Sequence, residues 1–95
     1  MTTTVREAPQ PLKVRAPRRI AVMPAFNEEA TILSVLDRLE PLADELIVVD
    51  DGSTDRTRYL VLEWSANRPN VRLICFNQNR GMSAAYYRAF QEIAR

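Results

Sequence analysis

The stretch Glu45 to Asp55, ELIVVDDGSTD, constrains the fold of this chain more than any other. Leu46-Ile47-Val48-Val49 is a continuous apolar run rich in β-branched residues. Such a run suits a strand covered by helices on both faces, as in a parallel sheet. It ends in two carboxylates, Asp50 and Asp51. Gly52 follows where the chain must turn, and Ser53, Thr54 and Asp55 are residues that cap helices. In open α/β sheets, ligands bind beyond the carboxyl ends of the strands. Asp50 and Asp51 are therefore placed either to read a ligand or only to shape the turn and cap the next helix. Position and residue type alone leave the two readings level.

Around this centre the chain alternates. Ile20 to Met23 reads as a first strand stopped by Pro24, which has no N–H for a ladder. Asn27 reads as the N-cap of a first helix, with Glu28 and Glu29 in its first turn, where the macrodipole favours acids. Ile32, Leu33, Val35, Leu36 and Leu39 form its apolar face, and Pro41 ends it. A second helix is expected from Thr54 or Asp55, packing through Tyr59, Leu60, Leu62 and Trp64, with Val61 widening the stripe. Asn67-Arg68-Pro69-Asn70 closes it as a turn. Val71 to Phe76 reads as the third strand, with Cys75 packed as a small apolar residue. Asn77 to Gly81, NQNRG, is a turn. A third helix follows from Met82, with Ala85, Ala89, Phe90, Tyr86 and Ile93 on one side.

Strand-helix alternation implies right-handed crossovers and a parallel sheet of order 3-2-1. The fold class is therefore α/β: a three-stranded parallel sheet with flanking helices, half of a doubly wound nucleotide-binding fold. Residues 1–18, with three Thr, three Pro and a cluster of basic side chains, read as a disordered or extended tail; residues 19–95 form the domain. An uncovered sheet edge is a surface for self-association, and it makes a truncated domain the expectation.

Composition narrows the function. Thirteen basic residues against twelve acidic ones, net +1, give no general attraction to nucleic acid or anionic membrane. The absence of His removes an imidazole base and a His metal ligand. One cysteine allows no internal disulfide. No apolar run is long enough to span a bilayer, and the N-terminus lacks the apolar core of a secretory signal. The location expected is cytoplasmic, peripheral to a membrane at most. There is no Walker-type or GxGxxG phosphate loop. A receiver-like Mg²⁺ site built on the acid pair would need an Asp at the end of the third strand, where Phe76-Asn77 stands instead.

Val22-Met23-Pro24-Ala25-Phe26-Asn27-Glu28-Glu29, followed one helix later by Ile47 to Asp55, resembles the N-terminal part of family 2 glycosyltransferases of the inverting GT-A type. Polyprenyl-phosphate sugar synthases are similar. Asn79-Arg80-Gly81-Met82-Ser83-Ala84-Ala85 looks like the family's third segment. The resemblance implies the N-terminal half of a GT-A (Rossmann-like) domain that binds a UDP- or GDP-linked sugar. It implies that Pro24, Phe26 and Glu28 line the base and ribose. Val49 would present backbone beside the base, and Asp51, with Asp50, would accept from it. A carboxylate is an acceptor-only partner for a base N–H, and Phe26 offers a flat stacking surface. Many members carry Tyr in place of Phe26, and Tyr86, Tyr87 and Ala89 depart from the family's usual continuation. No Asp-x-Asp follows Arg80. The divalent cation (Mg or Mn) of the complete enzymes therefore has no ligands here, and no residue is assigned to metal or catalysis. The function expected is the donor-binding portion of a glycosyltransferase, inactive as these 95 residues. The alternative is a nonenzymatic nucleotide-binding or regulatory module.

Overall fold

The computed structural model of the chain describes residues 18–94; residues 1–17 of the tail expected over 1–18 lie outside them, and Arg18 is held to Glu45 at 2.7 Å. Three strands, β1 (Ile20–Ala25), β2 (Glu45–Asp50) and β3 (Val71–Cys75), alternate with three helices, α1 (Ile32–Leu39), α2 (Thr57–Ser65) and α3 (Met82–Ile93). A short 3-10 turn, Glu40–Leu42, carries Pro41 after α1. Both pairings are parallel and β2 is central. The apolar run of β2 is accordingly fully covered, with Leu46 to Val49 all at 2% exposure or less.

Side chains alternate across a strand, and the register sorts them into two layers. Ala21, Met23 and Ala25 of β1 share a face with Leu46, Val48 and Asp50 of β2 and Leu73 of β3, under α1 and α2. Ile20, Val22 and Pro24 share the other face with Ile47 and Val49, under Ala85 and Ala89 of α3. Small residues on α3 let that helix lie close to the sheet.

Several elements differ from the sequence expectation. β1 continues through Pro24 to Ala25; it is an edge strand among the described residues, so the missing N–H of Pro24 costs no ladder bond. α1 begins at Ile32, not beside Asn27. Asn27 adopts a positive φ of 52°, and its side chain serves another loop. α2 begins at Thr57, and the amides of Thr54 and Asp55 ahead of it are held by Asn27. Its inner stripe is Thr57, Leu60, Val61 and Trp64, spaced i, i+3, i+4, i+7. Val61 is fully buried, whereas Tyr59 and Leu62 are 66% and 50% exposed. On α3, Tyr86, Phe90 and Ile93 are exposed and only Ala85 and Ala89 are buried. Cys75 is exposed, not packed in the core: it ends an edge strand, beyond the cover of α2. Partial burial raises its thiol pKa, with the Arg58 charge opposing that shift.

Candidate nucleotide-binding site

Two loops leave the carboxyl ends of β1 and β2 and fasten to each other. Asn27 Oδ1 accepts from the amides of Thr54 (2.8 Å) and Asp55 (3.2 Å). In return Ser53 Oγ accepts from Asn27 N at 3.0 Å and Thr57 Oγ1 from Glu28 N at 2.8 Å. Asp55 Oδ2 accepts from Glu29 N (3.2 Å), and Glu29 Oε1 accepts from Arg56 N (2.8 Å). The short polar side chains of the GSTD run thus bind the facing loop as well as starting α2. Burial alone would raise the Asp55 pKa, but hydrogen bonds from Thr57 and from the Glu29 amide outweigh it, and the net shift is downward.

The third loop, residues 77–81, is fastened to Asp51. Asp51 is 4% exposed. Its Oδ1 accepts from Arg80 N at 2.7 Å; its Oδ2 accepts from Gly81 N at 2.9 Å and from Asn79 Nδ2 at 3.1 Å. Of about four acceptor positions on a carboxylate, three are therefore occupied. Gly52 makes the close approach possible. It sits at φ 75°, and a Cβ there would lie 2.3 Å from Gln78 C and 2.4 Å from Asn79 N.

Between these loops lies a cleft of about 220 Å³ lined by Pro24, Ala25, Phe26, Glu28, Asp51, Asn79, Gly81 and Met82. Four of the residues expected at the site, Pro24, Phe26, Glu28 and Asp51, meet in it. Phe26 is 42% exposed at its rim. Val49 is buried beneath and does not line it. Asp50 is absent from it for a geometric reason: consecutive strand residues face opposite ways. Asp50 points to the α2 side, where its Oδ2 pairs with Arg58 Nε at 2.9 Å. That hydrogen bond raises the guanidinium's pKa further, so Arg58 stays charged. Among the described residues no group of three or more His, Cys, Asp or Glu side chains is placed to hold a metal ion.

Asn79, Gly81 and Met82 were not among the expected site residues. The NQNRG turn was visible in the sequence, but its return onto Asp51 is a tertiary contact. A larger cavity, about 410 Å³, lies at the opposite ends of the strands. Charged residues in it pair with each other, Arg18 with Glu45 and Arg72 with Glu92, each at 2.7 Å. The smaller cleft is the one where open α/β sheets place ligands. No described helix is long and apolar enough to cross a membrane.

Comparison with known proteins places the chain among relatives. The sequence is 48% identical over 67 residues to an uncharacterized protein of Methanocaldococcus jannaschii, covering 70% of this chain and 29% of that one. It is 58% identical over 48 residues to the glucosyl-3-phosphoglycerate synthase of Mycobacterium tuberculosis H37Rv, covering 45% of this chain and 15% of the synthase. With the dolichyl-phosphate beta-glucosyltransferase of Saccharomyces cerevisiae it shares 36% identity over 84 residues, 76% of this chain and 25% of the enzyme. Among solved structures it resembles a mannosyltransferase from Pyrobaculum calidifontis in complex with GDP-Man and Mn²⁺. The TM-score is 0.69 at 27% identity, covering 87% of this chain and 28% of the other. The chain thus spans less than a third of the length of each of these proteins. The profile of glycosyl transferase family 2 matches residues 20–94, nearly the whole described fold, and the chain belongs to that family.

Proposed function

We propose that this chain is the donor-binding portion of a glycosyltransferase and takes the nucleotide of a UDP- or GDP-linked sugar in the cleft between β1, β2 and the 77–81 turn. The observation that carries the reading is the convergence of Pro24, Phe26, Glu28 and Asp51 on one cleft beyond the carboxyl ends of parallel strands. The exposed ring of Phe26 stacks on a base or ribose face. The remaining acceptor position on Asp51 takes one base N–H. Transfer itself belongs to a longer protein. A divalent cation of the kind bound by the mannosyltransferase stabilises a leaving diphosphate, and the residues that would hold it are expected in that longer protein. The 95 residues alone are expected to release no sugar from UDP- or GDP-sugars with Mn²⁺ or Mg²⁺ present.

Amide NMR of the chain during titration with UDP and GDP tests the site. Shifts are expected at Phe26, Glu28, Asp51 and Gly81 and not around Arg72 and Glu92. No shift at millimolar nucleotide, or shifts confined to the opposite cavity, would reject it.

A further inference from the structure

Asp50 and Arg58 make a contact that the nucleotide cleft does not explain. Asp50 is fully buried, yet its Oδ1 accepts no hydrogen bond from any described residue. A guanidinium beside a carboxylate can present Nε and one Nη to both oxygens at once. Arg58 instead divides that edge: Nε donates to Asp50 Oδ2 at 2.9 Å, and Nη2 donates to the carbonyl of Phe76 at 2.9 Å. An unpartnered buried carboxylate oxygen is costly, and the second arm of the arginine that would relieve it is directed to the backbone where β3 ends.

Phe76 is held from both sides by the same residue. Its amide donates to the Asp50 carbonyl at 2.9 Å, while its own carbonyl is held through Arg58 by the Asp50 carboxylate. The 77–81 turn starts from this fixed point and returns to Asp51, and the Arg80 guanidinium lies 4.9 Å over the Phe76 ring on the way. Consecutive aspartates therefore fasten the two ends of one turn from opposite faces of the sheet. Asp51 takes the far end directly; Asp50 takes the root through Arg58.

We infer that Arg58 is a positioning residue for the cleft: by joining Asp50 to the Phe76 carbonyl it anchors the turn whose amides orient Asp51. Only its consequence for ligand binding rests on the proposed nucleotide reading. The inference requires a planar fork, because a lysine offers a single point charge.

Hydrogen exchange of wild type and Arg58→Lys tests this without nucleotide. In the variant, the Arg80 and Gly81 amides are expected to exchange about tenfold faster, with the Val48 and Val49 amides of β2 unchanged, since local opening is read at the amides it frees. Unchanged exchange at Arg80 and Gly81 would overturn the inference. An equal acceleration at all four amides would also overturn it, since that is the mark of general destabilisation. Should Arg58→Lys fail to fold, the double variant Asp50→Asn/Arg58→Gln leaves no unpaired buried charge and carries the same expectation. Titration with UDP and GDP then tests the consequence separately. Wild type binding neither nucleotide would reject the proposed function and leave the exchange result standing. Selective loosening with unchanged nucleotide affinity would overturn the link from Arg58 to the cleft.

Discussion

Replacing Gly52 by alanine should damage this protein more than any other single-methyl addition to its loops. The new Cβ would meet Gln78 C at 2.3 Å, Asn79 N at 2.4 Å and Gln78 Cα at 2.7 Å. All three are backbone atoms, so no side chain can swing away. Ordinary carbon contacts lie near 3.5–4 Å, and relief requires the 77–81 turn to move by about 1 Å. That movement pulls Arg80 N, Gly81 N and Asn79 Nδ2 from Asp51. A positive φ adds about 1–2 kcal/mol for a residue with a Cβ, and overpacking adds about 1–3 kcal/mol. The expected loss of about 2–5 kcal/mol is a large share of a small domain's stability. Gly81→Ala supplies the control. Its φ of 97° and ψ of 163° lie in a region nearly confined to glycine, but its Cβ would meet nothing within 4 Å, so only the backbone cost of about 1–3 kcal/mol applies. Urea denaturation of both variants separates steric overlap from backbone strain by the difference in midpoint at constant slope. Equal midpoints for Gly52→Ala and Gly81→Ala, or a Gly52→Ala protein as stable as wild type, would refute the argument.

Other outcomes follow from the same geometry. Asp51→Asn should lower stability by about 1–3 kcal/mol as well as weakening UDP or GDP binding, since it turns an NH₂ toward donors and leaves a buried N–H unmatched; denaturation and calorimetric titration read the two effects. Leu36→Ala, at a site with no exposure, should cost about 2–5 kcal/mol, whereas Leu62→Ala, half exposed, should fall within about 0.5 kcal/mol of wild type in the same denaturation assay. The lowered Asp55 pKa gives stability that is present above its unfolded value, near pH 4, and is lost as pH falls through the lower folded value. Asp55→Asn should flatten that part of the acid unfolding curve.

The strand order, the helices and the position of the cleft were legible because they follow from local pattern. A continuous β-branched run, two amphipathic helices and a proline-bearing turn leave few topologies once crossovers are right-handed. What was not legible lay in contacts between loops. Asn27 has the composition of an N-cap and an acidic turn after it, yet its side chain caps nothing in its own helix; it holds the amides of Thr54 and Asp55, 27 and 28 residues away. Val61 looked like noise in a helical stripe because Tyr59, Leu60 and Leu62 offered competing apolar surface. The burial of Thr57 four residues earlier decides the face, and Thr57 is a polar residue that a hydrophobicity pattern discounts.

The Asp50-Asp51 pair shows where the two kinds of information meet. Period-two alternation within the strand places Asp50 with Leu46 and Val48, while Asp51 lies just past the strand's end. Alternation cannot say what each carboxylate faces. The structure adds that both serve the same turn: Asp51 by three direct bonds, Asp50 through Arg58 and Phe76. Reading a ligand and shaping the turn are consequently not rival roles for Asp51. A carboxylate held by three protein donors has one acceptor position left and little freedom to move it. Asp51 lines the cleft with Phe26; on the proposed reading a base N–H would meet that position, and the bonds that shape the turn would then also pre-organise the site.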